Sequence, residues 1–156
     1  MRKVYKDAYN RPVATLVKIH SIEALKPETA EKIKAYAKNF KQDSDPRGMS
    51  MTYLMAEDLG LVYVEGLASV SEIQTHAFLK ADNRYIDPDI ELHEDSPKFH
   101  TYYAMVEGTI ADLSSRFNFN SKTHMIEQFL NYERDMDENM WATIQKEIVG
   151  DFRNDQ

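Results

Sequence analysis

The chain has 156 residues, of which 42% are hydrophobic and 11% aromatic, and its formal net charge is −7. This size and apolar content predict a single domain, residues 1–156, with a real hydrophobic core. No apolar run approaches the roughly 20 residues that cross a bilayer. The amino terminus also lacks the apolar stretch of a secretory signal, so we expect a cytoplasmic protein with no membrane association.

Charge and residue usage exclude several function classes. The 26 acidic residues outnumber the 19 basic ones. Nucleic-acid binders usually present a basic face, because neutralising phosphates releases counterions and supplies most of their affinity. We therefore expect no nucleic-acid partner. The sequence contains no cysteine, which excludes disulfides, thiolate metal sites and thiol nucleophiles.

The first predicted elements are a strand and two helices. Residues 12–19 are rich in β-branched side chains, which predicts an early strand. A helix is predicted over residues 27–41, because Pro27 suits a first helical position and apolar residues recur at helical spacing. Residues 42–48 have the composition of a loop. A second, shorter helix is predicted over residues 49–59, with Gly60 as its left-handed terminator.

The middle of the chain is the most strand-like part. Two apolar runs, residues 61–70 and 74–81, predict an antiparallel hairpin joined by a tight connection at Ser71-Glu72. Asp82-Asn83 predicts a turn into a brief third strand, residues 84–86. The acidic residues 87–95 then predict a loop.

Residues 102–106 predict a further strand or packing segment, and residues 110–117 a short helix. Two longer amphipathic helices are predicted over residues 121–134 and 137–152. Helices at both ends and strands in the middle are typical of the α+β class. We therefore expect a core over about residues 27–118 with a carboxy-terminal helical extension over about 119–156.

A histidine and an aspartate near the predicted hairpin form a pair with a known chemical use. His76 falls in the second hairpin strand, and Asp87 follows the brief third strand. A carboxylate that accepts from one imidazole nitrogen fixes the tautomer and leaves the other nitrogen to act as a base. The same spacing is typical of a half-buried structural histidine, so the pair alone leaves both interpretations open.

Three short motifs around this pair resemble the transglutaminase-like branch of the papain-like superfamily. They are Tyr-Val-Glu-Gly-Leu-Ala at 63–68, His-Ala-Phe at 76–78 and Tyr-Ile-Asp-Pro at 85–88. More narrowly, they are similar to small bacterial and phage proteins with a cysteine-bearing helix, then Tyr-Val-Glu-Gly-Tyr, His-Ala-Trp and Ile-Asp-Pro-Thr. Leu67, Phe78 and Asp89 depart from that pattern. The resemblance covers roughly residues 45–112.

The resemblance implies a papain-like or transglutaminase-like core, in which a helix packs on a small antiparallel sheet and extra helices follow. It also implies that His76 is the general base and Asp87 its orienting acid. The family nucleophile is a cysteine at the start of the helix, a place that falls within residues 48–51 here. Ser50 is the nucleophilic side chain at that start, and Thr52 follows.

A serine replaces such a cysteine poorly, because a hydroxyl needs a more exact base and oxyanion arrangement than a thiol. We therefore predict a catalytically degenerate transglutaminase-like domain, a phage or bacterial accessory protein that binds another protein. The alternative is a hydrolase or acyltransferase that uses Ser50, or Thr52, with His76 and Asp87.

Several His, Asp and Glu side chains between residues 76 and 94 raise the alternative of a divalent metal site, and with it a metal-dependent hydrolase. No pair has the spacing of a metal-binding helix, and residues 87–91 lack the glycine of an EF-hand loop. The few glycines also leave no phosphate-binding loop. We therefore predict no metal and no cofactor. The sequence identifies neither the partner nor the oligomeric state.

Overall fold

The computed structural model describes residues 15–40, 49–69, 73–92, 99 and 101–116, with the backbone alone for residues 49, 50, 73 and 74. The predicted loop 42–48, the Ser71-Glu72 connection and the predicted helices 121–134 and 137–152 lie outside the described residues. The predictions made for these segments are therefore not tested by the structure.

The described part of the chain mixes helices and strands, which confirms the α+β class. The strands are β1 (Thr15–Val17), β2 (Ile19–His20), β3 (Val62–Ser69), β4 (Ile73–Ala81), β5 (Arg84–Ile86) and β6 (Thr101–Gly108). The helices are α1 (Pro27–Asn39), α2 (Met49–Leu59), α3 (Pro88–Glu91) and α4 (Ile110–Ser114), and a 3-10 turn covers Ile22–Ala24.

The local signals in the sequence fix several of these boundaries. Pro27 occupies the first turn of α1, where its missing N–H costs nothing. Gly60 ends α2 with a φ of +67°, the left-handed conformation that glycine adopts without strain. Asp82 and Asn83 have φ values of +50° and +62°. A two-residue turn with two positive φ values matches the twist of the strands it joins, so the predicted turn at Asp82-Asn83 joins β4 and β5 in an antiparallel hairpin.

The six strands form one sheet in the order β1-β6-β3-β4-β5-β2. Its two edge strands, β1 and β2, are consecutive in the chain and are separated only by Lys18. In a flat sheet these edges would lie about 24 Å apart at about 4.8 Å per strand, whereas residues 17 and 19 are at most about 7 Å apart. The sheet therefore curls until its two edges meet.

Curling gives the sheet an inner and an outer face with separate hydrophobic clusters. Every strand contributes to the inner cluster, and none of the cluster members in the described part of the chain lies in a helix. Its buried members are Val64, Ala68, Phe78, Tyr102 and Ala104, and the partly buried Val17, Ile19, Val62, Tyr85 and Phe99 pack against them. The outer cluster joins the opposite face of the strands to the helices through side chains such as Tyr63, Leu79, Ile33 and Met55. The helices thus cover the sheet from outside.

A β-bulge in β6 changes which of its side chains face inward. The register shifts opposite Glu65 and Gly66 of β3, so that Met105 is the extra residue. Met105 and Val106 consequently both pack in the outer cluster. The next residue, Glu107, pairs with Val64 of the inner cluster, and paired residues share a face of the sheet. The bulge therefore turns Glu107 toward the inside.

Three sequence expectations are corrected by the structure. The predicted strand 12–19 is two short strands on opposite sheet edges, where it is described, because the chain crosses between the edges at Lys18. The sheet is not wholly antiparallel, since β2 pairs with β5 in parallel. Part of the predicted acidic loop 87–95 is helix α3, because Asp87 caps a helix that begins with Pro88.

The packed core also begins before residue 27. Ile22 is fully buried and Leu25 is 5% exposed, both in the outer cluster. Residues 15–20 are integral to the sheet, because they close it. Within the described residues, no helix is both long enough and apolar enough to cross a membrane.

Candidate functional site

His76, Asp87 and Tyr102 meet on the inner side of the sheet. His76 lies in β4, Asp87 directly follows β5, and Tyr102 lies in β6. His76 alternates along β4 with the outward-packed Ala77 and shares the inward face of Phe78. The short β4–β5 turn brings Asp87 back beside the middle of β4, so an eleven-residue separation becomes a direct contact.

Asp87 is the centre of the hydrogen-bond network. His76 Nε2 lies 2.7 Å from Asp87 Oδ2, and the Tyr102 hydroxyl donates to the same oxygen at 2.5 Å. The other carboxylate oxygen, Oδ1, accepts from the backbone N–H of Ile90 at 3.4 Å and caps α3. Asp87 itself is only 2% exposed. Its buried charge is therefore stabilised by donors from three separate elements.

Helix α3 also connects the site to the chain that follows β2, one of the two strands that meet when the sheet closes. Both carboxylate oxygens of Glu91, in α3, accept from the backbone N–H of Ile22 at 3.1 Å. Ile22 follows β2 by two residues, and β2 pairs with β5 just before Asp87. The position of Asp87 is thus fixed by β5, by α3 and, through Glu91, by the chain after β2.

Aromatic rings surround the imidazole. The His76 ring centroid lies 4.8 Å from that of Phe99, 6.0 Å from Tyr102 and 6.3 Å from Phe78. The side chain of His76 is 14% exposed. Packing against three rings and bonding to Asp87 hold the imidazole in one orientation.

Burial raises the pKa of Tyr102 well above its usual value near 10, and the negative charge of Asp87 raises that pKa further. Its phenol therefore stays protonated and acts as a hydrogen-bond donor to the carboxylate rather than as a nucleophile. Sequence reasoning missed Tyr102 and Phe99. The strand around Tyr102 was predicted, but its register relative to β4 and β5 depends on the β6 bulge, which leaves no local signal.

The His76–Asp87 hydrogen bond expected from the sequence is present. The Asp87 carboxylate is hydrogen-bonded to Nε2 of the imidazole. Among the described residues, no hydrogen-bond partner is found for Nδ1. An imidazole held in this way can accept a proton at Nδ1 if a donor approaches. The arrangement therefore has the chemical elements of a base and its orienting acid, whose roles as catalytic residues stay predictions.

The predicted nucleophiles lie on α2. Ser50 is the second residue of that helix, and its side chain lies outside the described atoms. Thr52 is 1% exposed, and its Oγ1 has no hydrogen-bond partner within the described part of the chain. Helix α2 packs on the outer cluster through Met51 and Met55, whereas the His76 ring packs with inner-cluster residues. Helix α2 contacts β4, the strand that carries His76, but the described hydrogen bond and ring contacts of His76 go to residues outside α2. The Ser50 assignment stays a prediction.

Two of the acidic residues considered for a metal, Asp82 and Glu91, have other partners in the structure. Asp82 accepts from the backbone N–H of Lys26 at 2.8 Å, and Glu91 is engaged by Ile22. In the described ranges, no three His, Asp or Glu side chains are grouped closely enough to hold a metal ion.

The resemblance to the transglutaminase-like branch depends on the sequence motifs. No protein-family model, curated protein or solved structure matches the chain. The structure establishes a mixed α+β architecture with a curled six-stranded sheet. A papain-like core is a finer assignment and remains the expectation drawn from the three motifs.

Proposed function

We propose that this chain is a transglutaminase-like domain that has lost catalytic turnover and that acts by binding another protein, as a bacterial or phage accessory protein. One observation carries the proposal: Asp87 Oδ2 is hydrogen-bonded to both His76 and Tyr102 in a chain that contains no cysteine. In this proposal the pair is the orienting half of a former triad, and the chain has no thiol that could attack a substrate.

The energetics of the unit support a structural role for it. Asp87 is a buried carboxylate that links β4, β6 and α3. Breaking such a group by removing one partner leaves a buried charge that is incompletely solvated, which costs several kcal/mol, roughly 2–5. The unit would therefore be retained by selection for stability even without turnover.

The packing of α2 is the second support. Its described apolar side chains lie on the outer face of the sheet, and the imidazole packs on the inner face. A nucleophile on α2 needs its oxygen within about 3 Å of the base. The described apolar side chains of α2 and the imidazole of His76 lie on opposite faces of the sheet, which supports binding over catalysis.

A labelling experiment tests the loss of turnover. The whole chain is treated with a fluorophosphonate, which reacts with activated hydroxyl nucleophiles, and the adduct is measured by mass spectrometry. We expect no labelling of Ser50 or Thr52 in the wild type. Labelling that disappears in the folded His76→Gln variant would overturn the proposal, because Gln keeps a donor for Asp87 but is not a base.

A binding experiment tests the positive half of the proposal. A partner is identified by crosslinking in the source cell, and its affinity is then measured with purified wild type and with His76→Gln. We expect the two affinities to agree within about twofold, well under the 1.4 kcal/mol of a tenfold change. His20→Gln, in β2, is the matched control. A partner consumed or covalently modified by the wild type alone would contradict the proposal.

Two observations favour a second candidate, a hydrolase or acyltransferase. Nδ1 of His76 is unengaged by the described residues, and the Thr52 hydroxyl is buried without a partner there. A conformational change that brought the start of α2 to the imidazole would complete a hydroxyl–His–Asp triad. This candidate expects fluorophosphonate labelling at Thr52 or Ser50 that requires His76, the opposite of the result expected above.

A further inference from the structure

Residues 15–20, called the strap below, close the curled sheet as one short segment. Its first half, β1, pairs with β6, and its second half, β2, pairs with β5. β1 has three residues and β2 two, whereas β3, β4 and β6 have eight, nine and eight. Lys18 is exposed, and the other five strap residues are partly exposed. Within the described residues, the strap is therefore less paired and less buried than the long strands.

The chain that follows the strap is attached more firmly. Ile22 is fully buried, and its backbone N–H donates to both carboxylate oxygens of Glu91 at 3.1 Å. The Ala24 carbonyl accepts from the guanidinium of Arg84. Ser21, between the strap and this anchored turn, is exposed and has an extended backbone. Hinges fall at such element-terminal residues, where weakly held chain meets firmly held chain. Ser21 is therefore the position about which the strap can turn.

The strap covers aromatic rings that lead to the candidate site. Val17 pairs with Tyr102, and Ile19 pairs with Tyr85. Both aliphatic side chains pack against the inner cluster. The ring centroids of Tyr102 and Tyr85 lie 5.3 and 6.0 Å from that of Phe78, and Tyr102 and Phe78 also contact the imidazole of the site. Opening of the strap would thus uncover an aromatic surface that is continuous with the candidate site.

We propose that the strap opens about Ser21 as a unit, and that an extended segment of the partner protein takes its place between β6 and β5. This inference rests on the binding function proposed above. Opening removes the β1 pairing from residues 102–104 of β6, and an extended peptide can supply the same backbone hydrogen bonds. Val17 and Ile19 face inward and Lys18 is exposed between them. The segment that fits therefore carries two apolar side chains separated by one polar residue.

Hydrogen exchange of the whole chain, followed by NMR under native conditions, tests the opening. Segments that open as a unit share one opening equilibrium, which exceeds that of global unfolding. We expect the protected amides of the strap to have a common opening constant, at least about 100-fold larger than that of the β3 amides. Strap amides that exchange no faster than those of β3 would overturn the proposal, because the strap would then open only when the whole protein unfolds.

A synthetic peptide tests the occupant. The probe is the acetylated and amidated peptide of the strap itself, Thr-Leu-Val-Lys-Ile-His, and the control is the same peptide carrying Val17→Asp and Ile19→Asp. Binding is followed through the amides of residues 102–104. Because the strap competes for the same place, the apparent affinity is reduced by the fraction of closed protein. We expect weak binding of the probe to the wild type and no binding of the control peptide.

Three variants separate strap opening from a general loss of stability. Val17→Ser removes apolar packing of the strap, and we expect it to strengthen probe binding at least about tenfold. Lys18→Gly loosens the strap at its exposed position and serves if Val17→Ser fails to fold; we expect about threefold strengthening. Leu59→Ser removes a partly buried side chain of α2 that packs on the outer cluster. It lowers stability outside the strap and should leave the affinity for the probe unchanged.

Three further results would also overturn the proposal. One is the absence of shifts at residues 102–104 in both strap variants with the probe at up to about 1 mM, a concentration that detects weak ligands. Another is equal strengthening by Val17→Ser and Leu59→Ser, because binding would then follow stability alone. The third is a dimer of Lys18→Gly that forms with rising concentration and is not displaced by the probe, which would assign the place to a second copy. None of these results bears on the loss of turnover, which the fluorophosphonate experiment tests separately.

Discussion

Tyr102 and His76 share one oxygen of a buried carboxylate: the phenol donates to Asp87 Oδ2 at 2.5 Å, and the imidazole Nε2 lies 2.7 Å from the same atom. The phenol comes from β6 and the imidazole from β4, with β3 between them in the sheet. Strands that are not neighbours can meet through their side chains in this way because the sheet curls. The network therefore fastens the curl as well as the candidate site.

The first prediction concerns the Tyr102 hydroxyl. Tyr102→Phe keeps the ring packing on His76 and Phe78 but removes a buried donor to a charged group. We expect the free energy of unfolding to fall by about 1.5–3 kcal/mol, measured by urea denaturation. Tyr36→Phe is a matched control, because Tyr36 donates to Asp58 at 2.7 Å at an exposed position and should cost under about 1 kcal/mol. Equal losses of unfolding free energy in the two variants would contradict the stabilising role assigned to the Tyr102 hydroxyl.

The second prediction separates the charge of Asp87 from its shape. Asp87→Asn keeps an oxygen for the Ile90 N–H but presents an amide where two donors converge, whereas Asp87→Ala removes every acceptor. We expect both variants to lose stability, by about 2 kcal/mol or more for Asn and by more for Ala. Asp82→Asn removes the charge of an exposed carboxylate bound to the Lys26 N–H and keeps a side chain that tolerates the φ of +50° at this position, so it should cost under about 1 kcal/mol. An Asp87→Asn variant as stable as Asp82→Asn would show that the network does not stabilise the sheet.

The third prediction concerns the backbone at the β6 bulge. A Cβ atom added at Gly66 would overlap the carbonyl oxygen of Tyr103, a backbone atom that cannot rotate away. We expect Gly66→Ala to cost about 3 kcal/mol or more, or to prevent folding, as measured by circular dichroism and urea denaturation. Gly60→Ala is the control: it meets no atom within 4 Å but has a φ of +67°, so it should cost about 1–2 kcal/mol. A Gly66→Ala variant more stable than Gly60→Ala would contradict the described register.

Much of the fold follows from local signals, and much of the site does not. The turn residues Asp82-Asn83, the left-handed Gly60 and the apolar runs of β3 and β4 are local features, and the structure has the elements they predict. The His76–Asp87 contact was within reach for the same reason, because one tight hairpin separates the two strands. Closure of the sheet at Lys18 could not be predicted, since strands of three and two residues carry no signal that would place them on opposite edges.

The bulge also explains why the inward position of Glu107 could not be predicted. If side chains simply alternated along β6, Glu107 would lie on the same side as Tyr103 and Met105, which face outward. The extra residue in β6 reverses that placement, and the cause is a backbone approach at Gly66 that only the paired strands reveal. The motif that contains Gly66 therefore includes a glycine that the fold itself requires. This requirement is independent of any catalytic ancestry of the motif.

The fourth prediction is a loss of stability in strong alkali. Burial raises the pKa of Tyr63 and of Tyr102 above the ordinary value near 10, and the nearby charges of Glu65 and Asp87 add to the effect. The unfolded chain therefore releases these protons from about pH 10 upward, while the folded protein keeps them. Because the unfolded state then binds fewer protons, the free energy of unfolding falls as the pH rises, by about 1.4 kcal/mol per pH unit for each such tyrosine.

Below about pH 9 the same two tyrosines contribute no pH dependence, since they are protonated in both states. Urea denaturation midpoints measured from neutral to alkaline pH should therefore stay level with respect to these groups and then decline steeply. In Tyr102→Phe the free energy of unfolding should fall less steeply with pH, because one of the two buried phenols is gone. The difference in slope should equal the contribution of one tyrosine. An unchanged alkaline slope in that variant would mean that the Tyr102 phenol titrates alike in the folded and unfolded chain, against its burial beside Asp87.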